Sequence, residues 1–202
     1  MKKLLLTFAL LVVAMTGTAQ IESGFRSGFS ISGSVNSMTN LDADKMMFGY
    51  RLGYTLDYNF SELFYLGTGL EQTLKGGVVN VSQLLGDFTA FDDGSTPLRY
   101  YNLQLPINVG GRLPLGKKNT YLFAQAGPYV SYVFVTNKYN IFGYGEIEGE
   151  RFDWGLGVKA GVEFKYIQIH LGYDFGLAKV WKYAHDDNVR NNSFYFGMSF
   201  MF

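Results

Sequence analysis

From Met46 to Phe60 two kinds of residue alternate without a break. Met46, Phe48, Tyr50, Leu52, Tyr54, Leu56, Tyr58 and Phe60 fall on one side; Met47, Gly49, Arg51, Gly53, Thr55, Asp57 and Asn59 fall on the other. A period of two belongs to an extended strand, because a helix would scatter the same residues around its circumference. Such a segment, at about 3.3 Å per residue, reaches roughly 50 Å, well beyond the usual strand of a small soluble domain.

The same pattern recurs along the chain and gives eight strands in all. The first sets Phe25, Phe29, Ile31 and Val35 against Arg26, Gly28, Ser30 and Ser32. The third, fourth and fifth alternate around Phe64–Leu74, Tyr101–Val109 and Leu122–Tyr132. The sixth runs over Phe152–Phe164 and the seventh over Ile167–Leu177. The last places Phe194, Phe196, Met198, Phe200 and Phe202 opposite Ser193, Tyr195, Gly197 and Ser199. The connections alternate as well. Asn59–Leu63, Leu113–Thr120 and Lys165–Tyr166 are short, whereas Asn36–Lys45, Gly76–Pro97, Thr136–Glu150 and Lys179–Arg190 are long.

These strands have one continuous apolar face, and the other face is rich in Gly, Ser, Thr, Asn and single charges. A secreted sandwich or a lipocalin-like barrel also has two-faced strands. Water-facing sheets, however, seldom carry repeated glycine, which weakens a strand unless packing requires it. Turned inward, the Phe, Tyr, Leu and Trp side chains would overfill an eight-stranded barrel; turned outward, they meet lipid, and a closed sheet leaves no backbone edge unsatisfied. The expected fold is therefore all-β: an eight-stranded antiparallel up-and-down transmembrane β-barrel. Short periplasmic turns, long extracellular loops and two periplasmic termini follow from the alternating connections and the even strand count. Tyr50, Tyr54, Tyr58, Phe60, Phe152, Trp154 and Phe164 are expected in the interfacial aromatic girdles.

The chain opens with Met1–Lys2–Lys3, an apolar run from Leu4 to Met15, and Gly17–Thr18–Ala19. That is the make-up of a secretory signal peptide over 1–19, which leaves a barrel domain over 20–202. Loss of Lys2 and Lys3 from 17 basic residues, against 17 acidic ones, gives a mature net charge of −2, and nothing points to a nucleic-acid partner. With Cys at 0, disulfides, thiolate chemistry and a cysteine lipid anchor are excluded.

Charged residues on the polar faces include Arg26, Arg51, Asp57, Glu71, Arg112, Asp153, Lys159, Glu163, His170 and Asp174, while Arg99 lies on the other face near the outer rim. In a narrow lumen they must pair, so the expected interior is a salt-bridge network in place of an apolar core. A hydrolytic or metal group built from Asp174, His170 and Glu163 is the sharper alternative. His170 and Asp174 stand about 13 Å apart along one strand, and no serine sits beside a base in a catalytic arrangement. His185 stands alone; Asp92–Asp93 and Asp186–Asp187 read as solvated loop carboxylates. No catalytic, cofactor-binding or metal-ligating residue is assigned, and no enzyme activity or cofactor is expected. A diffusion pore fits badly, since eight strands leave little lumen once Arg and Tyr are inside. In the long loops, Val78 to Val81 prolong a hairpin and Leu84 to Phe91 pack over the barrel mouth, or else the Gly76–Pro97 loop docks a protein, and Gly143–Glu150 is acidic and aromatic.

Tyr101–Ile107 (YNLQLPI), Tyr121–Pro128 (YLFAQAGP) and Gly155–Phe164 (GLGVKAGVEF), with the terminal aromatic strand, resemble the small PorT-like outer-membrane β-barrels of Bacteroidota over essentially the whole mature chain. The resemblance implies an outer-membrane location, lipid contact and recognition of Phe202 by the barrel-assembly machinery; it supplies no shared catalytic residues. It also implies a structural or accessory subunit of an envelope assembly. The alternative is a surface recognition or adhesion barrel that uses the loops 76–97 and 136–150, and a narrow pore ranks below both.

Overall fold

The protein was analysed as a computed structural model, which describes residues 24–39, 46–80, 95–116, 119–136, 139–141, 145–147, 150–179 and 189–202. Ten strands follow in order: β1 (Gly24–Thr39), β2 (Met47–Asn59), β3 (Phe64–Asn80), β4 (Ser95–Pro114), β5 (Thr120–Thr136), β6 (Tyr139–Ile141), β7 (Gly145–Ile147), β8 (Phe152–Phe164), β9 (Ile167–Gly176) and β10 (Arg190–Met201). Eight of them close in the order β1-β10-β9-β8-β5-β4-β3-β2, and β6-β7 is a separate two-stranded sheet. Every barrel pair is antiparallel.

Closure comes from the two ends of the chain. β1 and β10 pair from Gly28↔Met201 to Thr39↔Arg190, and Ser27 and Phe202 exchange backbone bonds of 3.0 and 2.7 Å beyond that register. No strand of the barrel is left with an unpaired partner side, which is what a backbone in hydrocarbon requires.

The alternation read from the sequence decides which way each side chain faces. Phe48 is 83 % exposed, whereas its sequence neighbour Met47 and the register partner of Met47, Asn36, are 7 % and 0 %. Leu52, Leu156, Phe196 and Met198 also face outward, and Arg26, Asp57, Glu163 and Asp174 face the lumen. The outer wall carries ring pairs at both rims: Phe25–Tyr58 at 4.9 Å and Tyr58–Phe60 at 5.2 Å near the short turns, and Tyr132–Phe152 at 5.2 Å near the long connections. Tyr54 departs from the girdle expectation. It lies at mid-strand, edge-on to Phe29 at 5.3 Å, because β2 begins and ends well beyond it.

The short turns fall as expected, between β2 and β3, β4 and β5, and β8 and β9. Ser61 Oγ accepts from the amides of Leu63 and Phe64 at 3.3 and 3.1 Å, and Lys165 takes a left-handed φ of 49° in the tight β8–β9 turn. The long connections are shorter than the sequence suggested. β1 runs on to Thr39, β3 and β4 stay in register to Asn80↔Ser95, and β6 and β7 occupy part of 136–150. Once two strands are in register, each further ladder step adds backbone bonds whatever the side-chain pattern, so polar stretches extend the hairpins. Residues 1–19, Leu84–Phe91, Asp92–Asp93 and His185–Asp187 lie outside the described residues.

Candidate functional site

The lumen is the place where chemistry-bearing side chains meet. Its aromatic residues are seated by a repeated arrangement. Tyr65, Tyr129 and Tyr195 each lie opposite a glycine on the adjoining strand, at Gly110, Gly155 and Gly172. A Cβ at Gly110 would meet the Tyr65 ring at 2.2 Å, and one at Gly172 would meet the Tyr195 ring at 2.3 Å. The rings therefore lie flat on bare backbone. A cation covers the other face of each: Arg112 over Tyr65 at 3.9 Å, Arg51 over Tyr195 at 3.9 Å, and Lys75 over Tyr129 at 4.3 Å. Stacked between a glycine and a cation, each ring gains area and electrostatic attraction. Gly172→Val should displace Tyr195 and lower unfolding stability by about 1–3 kcal/mol. Gly33→Val, where a Cβ meets nothing within 4 Å, is the control, and urea titration in vesicles reads both.

The cations then reach two groups of carboxylates. Toward the periplasmic end, Arg112 donates from Nε to Glu163 Oε2 at 3.1 Å, from Nη1 to Asn59 Oδ1 at 2.6 Å, and from Nη2 to Asp57 Oδ2 at 2.9 Å. Arg26 pairs with Glu163 and donates to the Lys165 carbonyl at 2.9 Å, and Gln168 donates to Glu163 at 2.9 Å. Toward the outer end, Arg51 pairs with Asp174 and lies 3.2 Å from Glu71. Lys75 lies 3.4 Å from Asp153 and 3.7 Å from Asp174, to which Gln104 also donates at 3.0 Å. Each carboxylate spans strands distant in sequence, so these bonds tie the cylinder across its bore. Lys159 stands between the two groups and makes no direct ion pair among the described residues.

The sequence reading of this interior needs two amendments. Lys75 is a lumenal cation that it missed, because it ended the third strand at Leu74 and put the next residues in a loop; continuing the alternation would have found it. The reading also did not foresee that Ser32 Oγ lies 3.2 Å from His170 Nε2, although the two form no catalytic arrangement. The register across β1, β10 and β9 brings them together, and sequence spacing carries no trace of it. The pair lacks the rest of a nucleophilic centre. Among the described residues His170 Nδ1 has no hydrogen-bond partner, and Ser32 and His170 are 4 % and 3 % exposed. A base needs an orienting partner, and a nucleophile needs room for substrate. Asp174, His170 and Glu163 do not converge: Asp174 serves Arg51 and Lys75, and Glu163 serves Arg26 and Arg112. Among the described residues no group of three or more His, Asp or Glu is placed to hold a metal ion.

Both ends of the bore are filled. Met38, Met47, Val133, Ala178 and Val189 are buried toward the outer end, and Tyr65, Phe123 and Met201 toward the periplasmic end. Between them lie two cavities in which water centres can occupy ≈ 10 Å³ each. This interior is a core of paired charge.

Lipid-facing wall, closed ladder and charged interior together define a small integral outer-membrane β-barrel. The chain matches the model of the outer membrane protein beta-barrel domain over residues 16–182, and it belongs to that family. It resides in the outer membrane, with its short turns in the periplasm. Among solved structures it is similar to the outer membrane protein OprG from Pseudomonas aeruginosa, at 12 % identity and a TM-score of 0.54, covering 90 % of this chain and 97 % of that one. It is also similar to Neisserial surface protein A, at 14 % identity and a TM-score of 0.51, covering 89 % and 98 %. Ail, the attachment invasion locus protein of Yersinia pestis, solved with the heparin analogue sucrose octasulfate, aligns at 18 % identity and a TM-score of 0.46, covering 89 % and 99 %. At these identities the likeness concerns the fold. A comparison with curated proteins finds no match.

Proposed function

We propose that this barrel is a non-catalytic surface recognition or adhesion protein that acts through its extracellular ends, the segments 76–97 and 136–150. The observation that carries this reading is the contrast between a filled bore and an extended outer rim. β3 pairs with β2 only as far as Thr73, yet continues beside β4 to Asn80, so this hairpin rises past its neighbour. The β6–β7 sheet adds a second structured element on the same side. A barrel whose interior is committed to ion pairs leaves its outer surface for contact with other molecules.

The accessory-subunit reading, with the PorT-like resemblance behind it, rests on a different place. The lipid-facing wall has a dent of ≈ 450 Å³ among Val109, Ala124, Ala126, Val158, Ala160 and Leu171, where a neighbouring membrane protein would seat. Both readings begin with export by a signal peptide over 1–19 and assembly through the strand ending at Phe202.

Cells carrying the protein, applied to immobilised glycans and extracellular-matrix proteins, test the proposal. Shortening both segments should reduce adhesion roughly tenfold, about 1.4 kcal/mol of contact, while the barrel still migrates faster before boiling than after. Unchanged adhesion, with an envelope protein that co-purifies in mild detergent, would move the reading to the accessory role. Solute flux through liposomes holding the pure protein would overturn both.

A further inference from the structure

The middle of β4 is unlaced from both of its neighbours. Its ladder with β3 passes from Thr68↔Ile107 to Glu71↔Gln104 without the rungs Gly69–Pro106 and Leu70–Leu105. Its ladder with β5 passes from Pro106↔Tyr129 to Val109↔Ala126 without Ile107–Pro128 and Asn108–Gly127. Each gap contains a proline, which has no N–H to give, so the carbonyls of Gly69 and Ile107 lose a ladder donor. Both prolines stand midway between the Tyr101–Phe134 ring pair of the outer rim and the β4–β5 turn, at the depth of the acyl chains. Thr68 Oγ1 spans the first gap and donates to the Pro106 carbonyl at 2.8 Å. In the second gap Gly127 and Pro128 have no side-chain donor, and a Cβ at Gly127 would meet Ile107 O at 1.9 Å. The Ile107 carbonyl therefore lies against bare backbone.

One outward-facing rung nearer the periplasm, a groove crosses the outer wall. Val109, Ala126, Val158, Tyr173 and Phe194 are rung partners in turn, from β4 through β5, β8 and β9 to β10. All five line a depression of ≈ 450 Å³, with the Ala124–Ala160 rung beside them. The row crosses four strand spacings, roughly 19 Å. An apolar cavity of about 150 Å³ holds one benzene, about 25 Å³ per carbon, so ≈ 450 Å³ holds a chain of about 18 carbons. The groove is continuous with the wall that already meets acyl chains, which makes its occupant a lipid. The Ile107 carbonyl adds a requirement. It is a negative pole set in hydrocarbon, and the proton of an O–H is the charge that complements it.

We propose that this groove is a binding site for one single-chain lipid with a hydroxyl head, which donates to the Ile107 carbonyl while the tail lies along the row toward Phe194. The head closes the rung that Pro128 leaves open, and the tail fills the depression that the small side chains leave. An ordinary bilayer lipid satisfies only the second need, because its acyl chains carry no donor at that depth. The site is independent of the outer loops and of the adhesion reading. While it is filled, a neighbouring membrane protein can seat there only by displacing the chain.

Oleyl alcohol and its methyl ether, which has the same tail and no donor, test the site. Each is added to the full barrel refolded in an amine-oxide detergent, and native mass spectrometry reads the bound fraction. The parent should retain one oleyl alcohol per barrel, bound about fivefold more tightly than the ether, the weight of one net hydrogen bond. Pro128→Ala restores an N–H opposite Ile107, so the alcohol and the ether should then bind alike. Ala126→Leu with Ala160→Leu fills the groove and should abolish retention of both. Faster migration before boiling than after confirms that each variant is folded. Equal binding of alcohol and ether by the parent overturns the proposal, as does a preference that survives Pro128→Ala. A doubled mass without bound alcohol also overturns it and gives the groove to a second copy of the chain.

Discussion

Arg112→Met lowers the unfolding free energy by about 3–5 kcal/mol, the range for breaking a buried ion pair by removing one partner. Arg112 is 1 % exposed, and its guanidinium is bound to Glu163, Asp57 and Asn59 while covering the Tyr65 ring. The long methionine side chain replaces much of the lost volume, so the loss falls mainly on two carboxylates. Among the described residues Asp57 keeps no other ion pair, and Glu163 keeps Arg26 and Gln168. Asp57→Asn added to Arg112→Met should therefore recover part of the loss, because the stranded charge is gone. Urea titrations of parent, single and double variants in lipid vesicles measure this. A loss below about 1 kcal/mol for Arg112→Met, the level of an exposed pair, would show that the lumenal network is solvated and does not act as a core.

Leu171→Arg comes next, with an expected loss of about 2–4 kcal/mol for a cationic side chain on the lipid face near the bilayer midplane. Leu171 is 52 % exposed and sits in the middle of β9, among Val158, Ala160 and Phe194 on the outer wall. Its lumenal neighbours, His170 and Gly172, face the other way. The cost comes from holding a guanidinium against acyl chains, and it falls off with depth. Phe164→Arg, at the last residue of β8 beside the periplasmic turn, should cost about 0–1 kcal/mol by the same measurement. Equal and small effects at both positions would mean that the apolar wall does not face lipid.

Much of this architecture was readable before any fold was known. The alternation in Met46–Phe60 assigned every side chain of β2 to a face, and the structure keeps each assignment from Met47 to Asn59. It could do so because a strand's side-chain period is two, so one register choice sets the whole face. Strand ends were harder to read. β3 and β4 extend into a segment with no clear alternation, and Lys75 was lost with it, since backbone pairing continues where side chains give no signal. The Ser32–His170 contact was illegible for a different reason. These residues lie far apart in the chain and meet only through β10, so nothing local marks them.

The sequence by itself determined the number of barrel strands, their two faces, the short and long rims, and a charged bore inside a lipid-facing wall, because all of these follow from periodicity and turn spacing within single segments. Only the tertiary structure decided which cation meets which carboxylate and which glycine seats which tyrosine. Those depend on the stagger between neighbouring strands around a closed cylinder, a relation among segments that no single strand records.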